Sequence, residues 1–468
     1  MEPTAFYLRQ GPETLTALGG LPLVGQAIAR YSQLRRLIDP RFPVRSGIPN
    51  SDILIAQLGL LCQGKCDFEA IERFRRGTFF AQAPGLRVVP SSPTLRQRLD
   101  EKGEAFLPWV DVSLLHLLKR AKATITPLSC GWVPLDLDVS PLDNSNTRKE
   151  GIGWTYASFV GYAPITAYLG QEGWNIGMEL REGTQHSAEH TDEPLDRVLP
   201  RALALTQAPI LVRMDAGFHG KTIAKTSVQH DRERQAASGQ PVAFLIKWNR
   251  RGHDLDAWIQ PYLAEPQALW DSPRPGKRVS VWEEAVTLGK VPVRRVLRLT
   301  ERTTMANGQH LLLLEITLEG WDTTLPTDID SQAVIALYAD HATHEQFHAE
   351  IKTDLDLKRL PSGKFATNDL ILTLGAMAYN LLRLIGQHTL LGPDAPSRHP
   401  AKRRRVKTVI QEIITLGAHV IHHARQRILS FPGYRPQPFL PSSVSMPPRL
   451  HRRSPQGFHR TLHPVEMW

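Results

Sequence analysis

The sequence predicts an α/β core preceded by a helical region, interrupted by a β-rich insertion and followed by a basic helical region. Three observations carry that expectation. Strand-like alternation gives way repeatedly to helical spacing between residues 126 and 250. Residues 251–330 break the pattern with strand-like runs alone. Helical spacing then returns from 331 onward. The expected divisions are a helical region (1–125), the first part of the core (126–250), the insertion (251–330), the second part of the core (331–390), and a basic helical region with a Pro/Arg-rich tail (391–468).

In the first region, Ser51 is placed to cap a helix through Ile53, Leu54, Leu58 and Leu61, and Phe68, Ile71 and Phe74 mark a second. Ser92-Pro93 opens a third, with Ser at the N-cap and Pro at the first helical position. Leu95 and Leu99 share its apolar face, which leaves Arg96 and Arg98 to meet phosphates or base edges, or simply solvent. Short helices ending in a basic one fit a helix-turn-helix-like DNA reader.

The core begins with Val133-Pro-Leu-Asp-Leu-Asp-Val139. Its period of two puts Asp136 and Asp138 on one face. Phe159–Leu169 and Trp174–Leu180 read as further strands, Leu195–Leu205 as a helix, and Ile210–Met214 as a buried strand ending in a turn at Asp215-Ala-Gly217. A helix over 221–237 and a strand over 242–248 follow. In the insertion, Asn307-Gly308 marks a hairpin turn between Val291–Leu299 and His310–Leu318. Its Trp282 and Trp321 are better read as core than as base-stacking platforms. Val334–Tyr338 reads as a short strand or entry segment. Helices are expected at 341–357, carrying Glu345, and at 367–387 and 402–429.

Composition narrows the function classes. A chain of 468 residues with 41% apolar and 22% charged residues is long enough for two or three domains of ordinary globular material. Met1–Gly20 carries Glu2, Arg9 and Glu13 and no apolar run, so no secretory signal is expected. Leu370–Ile385 is too short to span a bilayer and contains Asn380 and Arg383, so it reads as a core helix and no membrane partner is expected. Three cysteines, Cys62, Cys66 and Cys130, make no disulfide framework and read as reduced, buried thiols. The net charge of +10 lies entirely in residues 391–468, which hold 13 Lys and Arg against 3 Asp and Glu. A basic end on a neutral body predicts a polyanion partner, nucleic acid first. Within it, Lys402, Arg403, Arg404 and Arg405 open a helix whose dipole does not favour cations there, which points to phosphate binding.

Phosphodiester cleavage with divalent ions needs acidic oxygens converging from separate elements. Asp138 on a first strand, Asp215 at the end of a later one and Glu345 on a helix after an insertion meet that need. The element order is similar to that of ribonuclease-H-like nucleotidyl transferases. The residues also resemble the DDE transposases of bacterial insertion sequences, in the cut-and-paste branch with a Tyr-x₂-Arg-x₃-Glu-x₆-Lys signature. Tyr338, His341, Glu345 and Lys352 stand at those spacings, with His341 in place of the Arg. The likeness is greatest to insertion-sequence family 1380, transposase DDE group 1. It runs through Leu135-Asp-Leu-Asp138-Val-Ser140, Arg213-Met-Asp215-Ala-Gly-Phe218, and Phe365-Ala-Thr-Asn368 on to Ala378-Tyr-Asn-Leu381.

The resemblance implies a ribonuclease-H-like catalytic core in which Asp138, Asp215 and Glu345 hold Mg²⁺, with Mn²⁺ as a substitute. It implies that Tyr338, Lys352 and the residue at 341 contact DNA phosphates. Asp136 rivals Asp138 for the first position, but Ser140 matches the family's Asp-x-Thr pattern and favours Asp138. The resemblance further implies a DNA transposase that cleaves element ends and joins them to target DNA through a hairpin intermediate. Its double-stranded DNA partners would be the terminal repeats and the target. It would act as a homodimer on DNA in the bacterial cytoplasm, at the nucleoid.

A second reading competes for Glu345. His344-Glu345-Gln346-Phe347-His348 is a literal H-E-x-x-H, the pattern of a zinc metalloprotease. Three fixed positions are easily met by chance in a chain with 18 His, and no third ligand stands at a familiar spacing downstream. A DNA-binding protein with an inactive nuclease fold is a third class, and it would require a missing acid.

Overall fold

The computed structural model describes residues 14–264, 270–390, 403–423 and 426–431. Lys402 and the Pro/Arg-rich tail lie outside them. The first long helices are α1 (Asn50–Leu61) and α2 (Ser92–Arg120). The core follows as β1 (Val133–Val139), β2 (Ile165–Leu169), β3 (Trp174–Glu179), α3 (Asp192–Leu205), β4 (Ile210–Met214), α4 (Lys221–Ser238) and β5 (Val242–Lys247). Then come β6 (Trp270–Arg274), β7 (Lys277–Leu288), β8 (Val291–Thr304) and β9 (His310–Thr323). The chain returns through α5 (Ser331–His341), α6 (His344–Ala349) and α7 (Phe365–Thr389).

All nine of these strands form one mixed sheet in the order β6-β7-β8-β9-β5-β4-β1-β2-β3. β1, β4 and β5 are parallel neighbours, while β2 pairs antiparallel with β1 and β3 antiparallel with β2. The strands between β5 and α5 therefore extend the core sheet, because β9 pairs antiparallel with β5 through Trp321↔Lys247. Asn307-Gly308 makes the β8–β9 turn, with Gly308 at φ +87° and Asn307 accepting from the Gln309 N–H. Trp321 is buried in the apolar cluster between this sheet and α5.

Several expected elements differ, each for a local reason. The third helix of the N-terminal region is not short: α2 runs 29 residues, straight through Pro108. Its buried row Leu95, Leu99, Phe106, Val110, Leu114 and Leu117 packs along α7 and outweighs the one backbone bond that proline removes. Its N-cap is Ser91, which accepts from the Thr94 N–H, and not Ser92. The Val334–Tyr338 segment is helical within α5, because the Asp330 side chain caps it by accepting from the Ala333 N–H. The helix expected over 341–357 is broken into α6 and a π turn, Glu350–Asp354. The helix expected over 402–429 is only Val406–Val409 and a π turn to Ile414. After Gly417 the chain forms a hairpin, Ala418–His423 with Gln426–Ser430, so the C-terminal region is not helical throughout. Cys62 and Cys66 are buried, whereas Cys130 is exposed.

α7 is long and apolar enough to cross a membrane by composition, yet it is the centre of the core, buried along nearly its whole length. Its polar residues are spent on backbone. Asn380 accepts from the Asn175 N–H of β3 and donates to the Asn175 carbonyl, Asn368 does the same for Ser362, and the Tyr379 hydroxyl donates to the Gly173 carbonyl. Buried amides satisfied in this way fix how α7 seats on the sheet.

Asp369 on α7 accepts from the Leu180 N–H, and burial together with the Glu179 and Asp111 carboxylates pushes its carboxyl up to about 7. The folded chain then binds this proton more tightly than the unfolded chain. Stability from this group is full below the unfolded value near 4 and is lost as pH rises toward 7. Asp369→Asn keeps the acceptor and removes the titration. It is expected to melt several degrees above wild type at pH 8 and level with it at pH 4, as read by calorimetry. Equal melting temperatures at pH 8 would refute the assignment.

Candidate active site

The site grows from the sheet's register. β1 and β4 are parallel, and Asp136 stands opposite Arg213. Side chains repeat every two residues, so Asp138 and Asp215 come next on the same face, at the carboxyl ends of adjacent strands roughly 4.8 Å apart. The opposite face of these strands carries Leu135, Leu137, Val212 and Met214, buried in the main core. Asp215 lies just past the end of β4, where its side chain accepts from the Gly217 N–H at 2.9 Å and fixes the turn. The carboxyl end of parallel strands is where α/β sheets place their ligands.

Asp136 and Asp138 part company here. Asp136 is 3% exposed and fully occupied: Arg213 binds it through two bonds of 2.6 and 2.8 Å, and His341 Nδ1 is 2.9 Å away. Burial opposes ionisation of Asp136, but the guanidinium and the imidazole hold its carboxyl well below the usual range. Asp138 faces α6 instead. Its Oδ2 lies 2.9 Å from His344 Nε2 and 3.1 Å from His348 Nε2. Burial raises the carboxyl of Asp138, and the two rings overcome that and keep it low. Against its own burial, His344 is pushed up to about 9 by Asp138. Asp215 shifts upward through burial and the like charge of Asp138.

Glu345 follows His344 on α6 and is exposed, its Oε1 3.8 Å from His344 Nε2. The three acids converge. Tyr156 has its hydroxyl donating to the Val139 carbonyl, and it is shifted upward first by burial and then by Asp138, Asp215 and Glu345 together. Tyr338 is raised by burial and by Asp215 and Asp138, while Lys352 is lowered by burial against the pull of Glu345 and Asp138. Tyr338 and Lys352 thus sit beside the acids. His341 does too, but buried, bonded to Asp136 and stacked 4.1 Å from the His344 ring.

The other basic residues are engaged within the protein. Arg96 pairs with Glu69 and lies over the Phe68 ring, and Arg98 donates to Asn50. Arg403 donates to Gln346 and covers the Phe347 ring, while Arg405 grips Asp354 through two 2.9 Å bonds. Arg404 is half-buried beside them. This run therefore braces the segment that carries Glu345. Sequence reasoning missed Tyr156 and the role of Arg213. It met His344 and His348 only as a protease motif, whose i, i+4 spacing was the available signal for two rings on one face.

The donor set suits divalent cations. Three carboxylates offer hard oxygens, and Asp138, His344 and His348 present ligand atoms all within 4.8 Å of one another. His348 Nε2 is buried without a hydrogen-bond partner, aimed at Asp138. The arrangement can hold cations against phosphate oxygens.

No curated protein matches the chain. Among solved structures it is similar to a piggyBac transposase synaptic complex with hairpin DNA, with a TM-score of 0.39 and 12% identity over 84% of this chain and 80% of that one. The sequence model of the family described as Transposase DDE domain group 1 matches residues 9–233 and 294–444. With that match spanning most of its length, the chain belongs to the transposase DDE domain group 1 family.

Proposed function

We propose that this transposase cleaves DNA at the ends of its element and joins the freed ends to target DNA, using Asp138, Asp215 and Glu345 as its acidic triad. The observation that carries the reading is the register itself. Asp138 and Asp215 end neighbouring parallel strands on one face, and Glu345 comes from the helix facing them. The 3-2-1-4-5 order of the first five strands supports a ribonuclease-H-like core. Divalent ions held there, Mg²⁺ with Mn²⁺ as a substitute, would activate the attacking oxygen and stabilise the leaving one. No observation favours proteolysis through the His344-Glu345-x-x-His348 motif.

The chain's own groups do the rest. Asp215 is held by the Gly217 N–H, so its free oxygen stays aimed past the strand end. Lys352, half-buried near Glu345 and Asp138, meets a phosphate as a point charge. Tyr338 offers its hydroxyl from α5. His341, at the position of the signature Arg, holds Asp136 in place and leaves phosphate binding to Lys352. We extend the proposal to a hairpin intermediate, to a homodimer pairing two ends, to DNA contacts by Arg96, Arg98 and the 402–405 run, and to a bacterial, nucleoid-associated setting.

A plasmid carrying the repeats that flank the gene tests this. With Mg²⁺ or Mn²⁺, wild type is expected to excise the segment and Asp215→Ala to lose excision by at least roughly 10³-fold, about 4 kcal/mol of transition-state stabilisation. Equal activity of the two would sink the triad. A hairpin-sized end product on a denaturing gel would identify the pathway.

A further inference from the structure

We propose that Nε2 of His344, Nε2 of His348 and Oδ2 of Asp138 form a nitrogen-containing metal position, which makes the Asp138 end of this site take a first-row transition ion in preference to Mg²⁺. The inference rests on the triad reading only for Asp138, and both rings are additional to it.

Spacing is the first argument. Histidines four residues apart share one helix face, and α6 lays that face over the end of β1. Adjacent ligands of an octahedral ion with bonds of about 2.1 Å stand about 3 Å apart. The two ring nitrogens stand 2.9 and 3.1 Å from Asp138 Oδ2.

The far sides of the rings give the second argument. A metal-binding imidazole is held by a hydrogen bond through its other nitrogen, which fixes the tautomer and the ring plane. His344 Nδ1 donates to the His341 carbonyl, and His348 Nδ1 lies 3.3 Å from the Tyr168 hydroxyl. Tyr168 is itself fully buried, so the second ring is locked.

The third argument is the fit of the second ring. His348 is 3% exposed, and its Nε2 lies 3.1 Å from Asp138 Oδ2 without the alignment of a hydrogen bond. A buried ring nitrogen that meets a carboxylate oxygen at this distance but does not point a hydrogen at it is placed as a second ligand to a shared ion. Imidazole suits Fe²⁺ and Zn²⁺ best, and Mn²⁺, at the weak end of the first-row series, still accepts it more readily than Mg²⁺, which keeps oxygen ligands and its own waters. Two rings and one carboxylate leave positions open for Asp215, Glu345, water or a phosphate oxygen.

The full chain loaded with one equivalent of Mn²⁺ tests the idea by pulsed electron paramagnetic resonance, which reads ¹⁴N couplings from bound imidazole without any variant. Nitrogen couplings from the wild type are expected. Calorimetry is expected to show Mn²⁺ binding at least tenfold tighter than Mg²⁺, with His344→Gln and His348→Gln each losing most of that preference. Folding of the variants is checked by circular dichroism. Mn²⁺ bound without nitrogen couplings, or with equal affinity in folded variants, overturns the inference and leaves the triad standing. Nitrogen-bound Mn²⁺ in a protein that cleaves no DNA with any ion upholds the inference and fells the triad reading instead.

Discussion

Glu345→Gln is expected to lower metal-dependent DNA cleavage by roughly 10³-fold while leaving the melting temperature unchanged. The argument uses the contrast between two glutamates five residues apart. Glu345 is exposed, and its one ion-pair contact within 4 Å among the described residues is His344 at 3.8 Å, too far for a hydrogen bond. A surface substitution that breaks no bond changes stability by only about 0.5 kcal/mol or less. What the substitution removes is a negative oxygen facing Asp138 and Asp215, and a neutral amide binds a divalent cation far more weakly. Glu350 is the control. It is buried, accepts from Arg383 at 2.8 Å and from the Val406 N–H at 3.2 Å, and ties α7 to the chain's C-terminal part. Glu350→Gln weakens a buried ion pair, so its effect falls on melting temperature, with cleavage per folded molecule close to wild type. Paired cleavage rates and melts on the two variants decide the matter. If Glu350→Gln abolished cleavage in a stable protein while Glu345→Gln did not, the third acid would have to be reassigned.

The site was legible in the sequence as far as its periodicities reached. Alternation in 133–139 set Asp136 and Asp138 on one face, and the strand ending at Asp215 was visible as an apolar run closed by Ala-Gly. Glu345 emerged from the family resemblance, whose signature spacing it shares with Tyr338 and Lys352. What one-dimensional pattern could not supply was register. Only pairing across β1 and β4 sets Arg213 beside Asp136, and only that pairing shows that Asp136 is consumed while Asp138 is free to face α6. The C-terminal hairpin was hidden for a related reason. Val420, Ala424 and Ile428 repeat every four residues as a helix would, yet β-branched residues also suit strands. In the folded chain Ile421 stands across from Ile428. Arg403 and Arg405 read as free cations because their partners, Gln346 and Asp354, lie some fifty residues earlier in the chain.

The same buried pair yields the largest stability effect. Arg213→Leu is expected to cost about 3–5 kcal/mol, the usual penalty for stranding one partner of a buried ion pair, or roughly 3–5 °C in melting temperature for a chain of this length. Arg213 is 2% exposed and makes four bonds: two to Asp136, one to the Leu337 carbonyl and one to Asp340. Leucine fills part of the volume but leaves the Asp136 carboxylate in the interior with His341 alone. The double variant Asp136→Leu/Arg213→Leu removes both charges, so it is expected to be more stable than Arg213→Leu by itself, although His341 then loses its partner. A double-mutant cycle on melting temperatures measures that coupling. Strict additivity of the two single changes would mean that the pair does not act as a unit. The consequence reaches the chemistry, because Asp136 precedes Asp138 by two residues on the same strand face. With Arg213 gone, the freed carboxylate becomes a second acid beside the first, able to draw His344 or a cation away from Asp138. Cleavage should therefore fall in Arg213→Leu even below its melting temperature, and recover in part when Asp136 is also replaced. The bridge thus leaves Asp138 as the acid on this strand face that is open to α6.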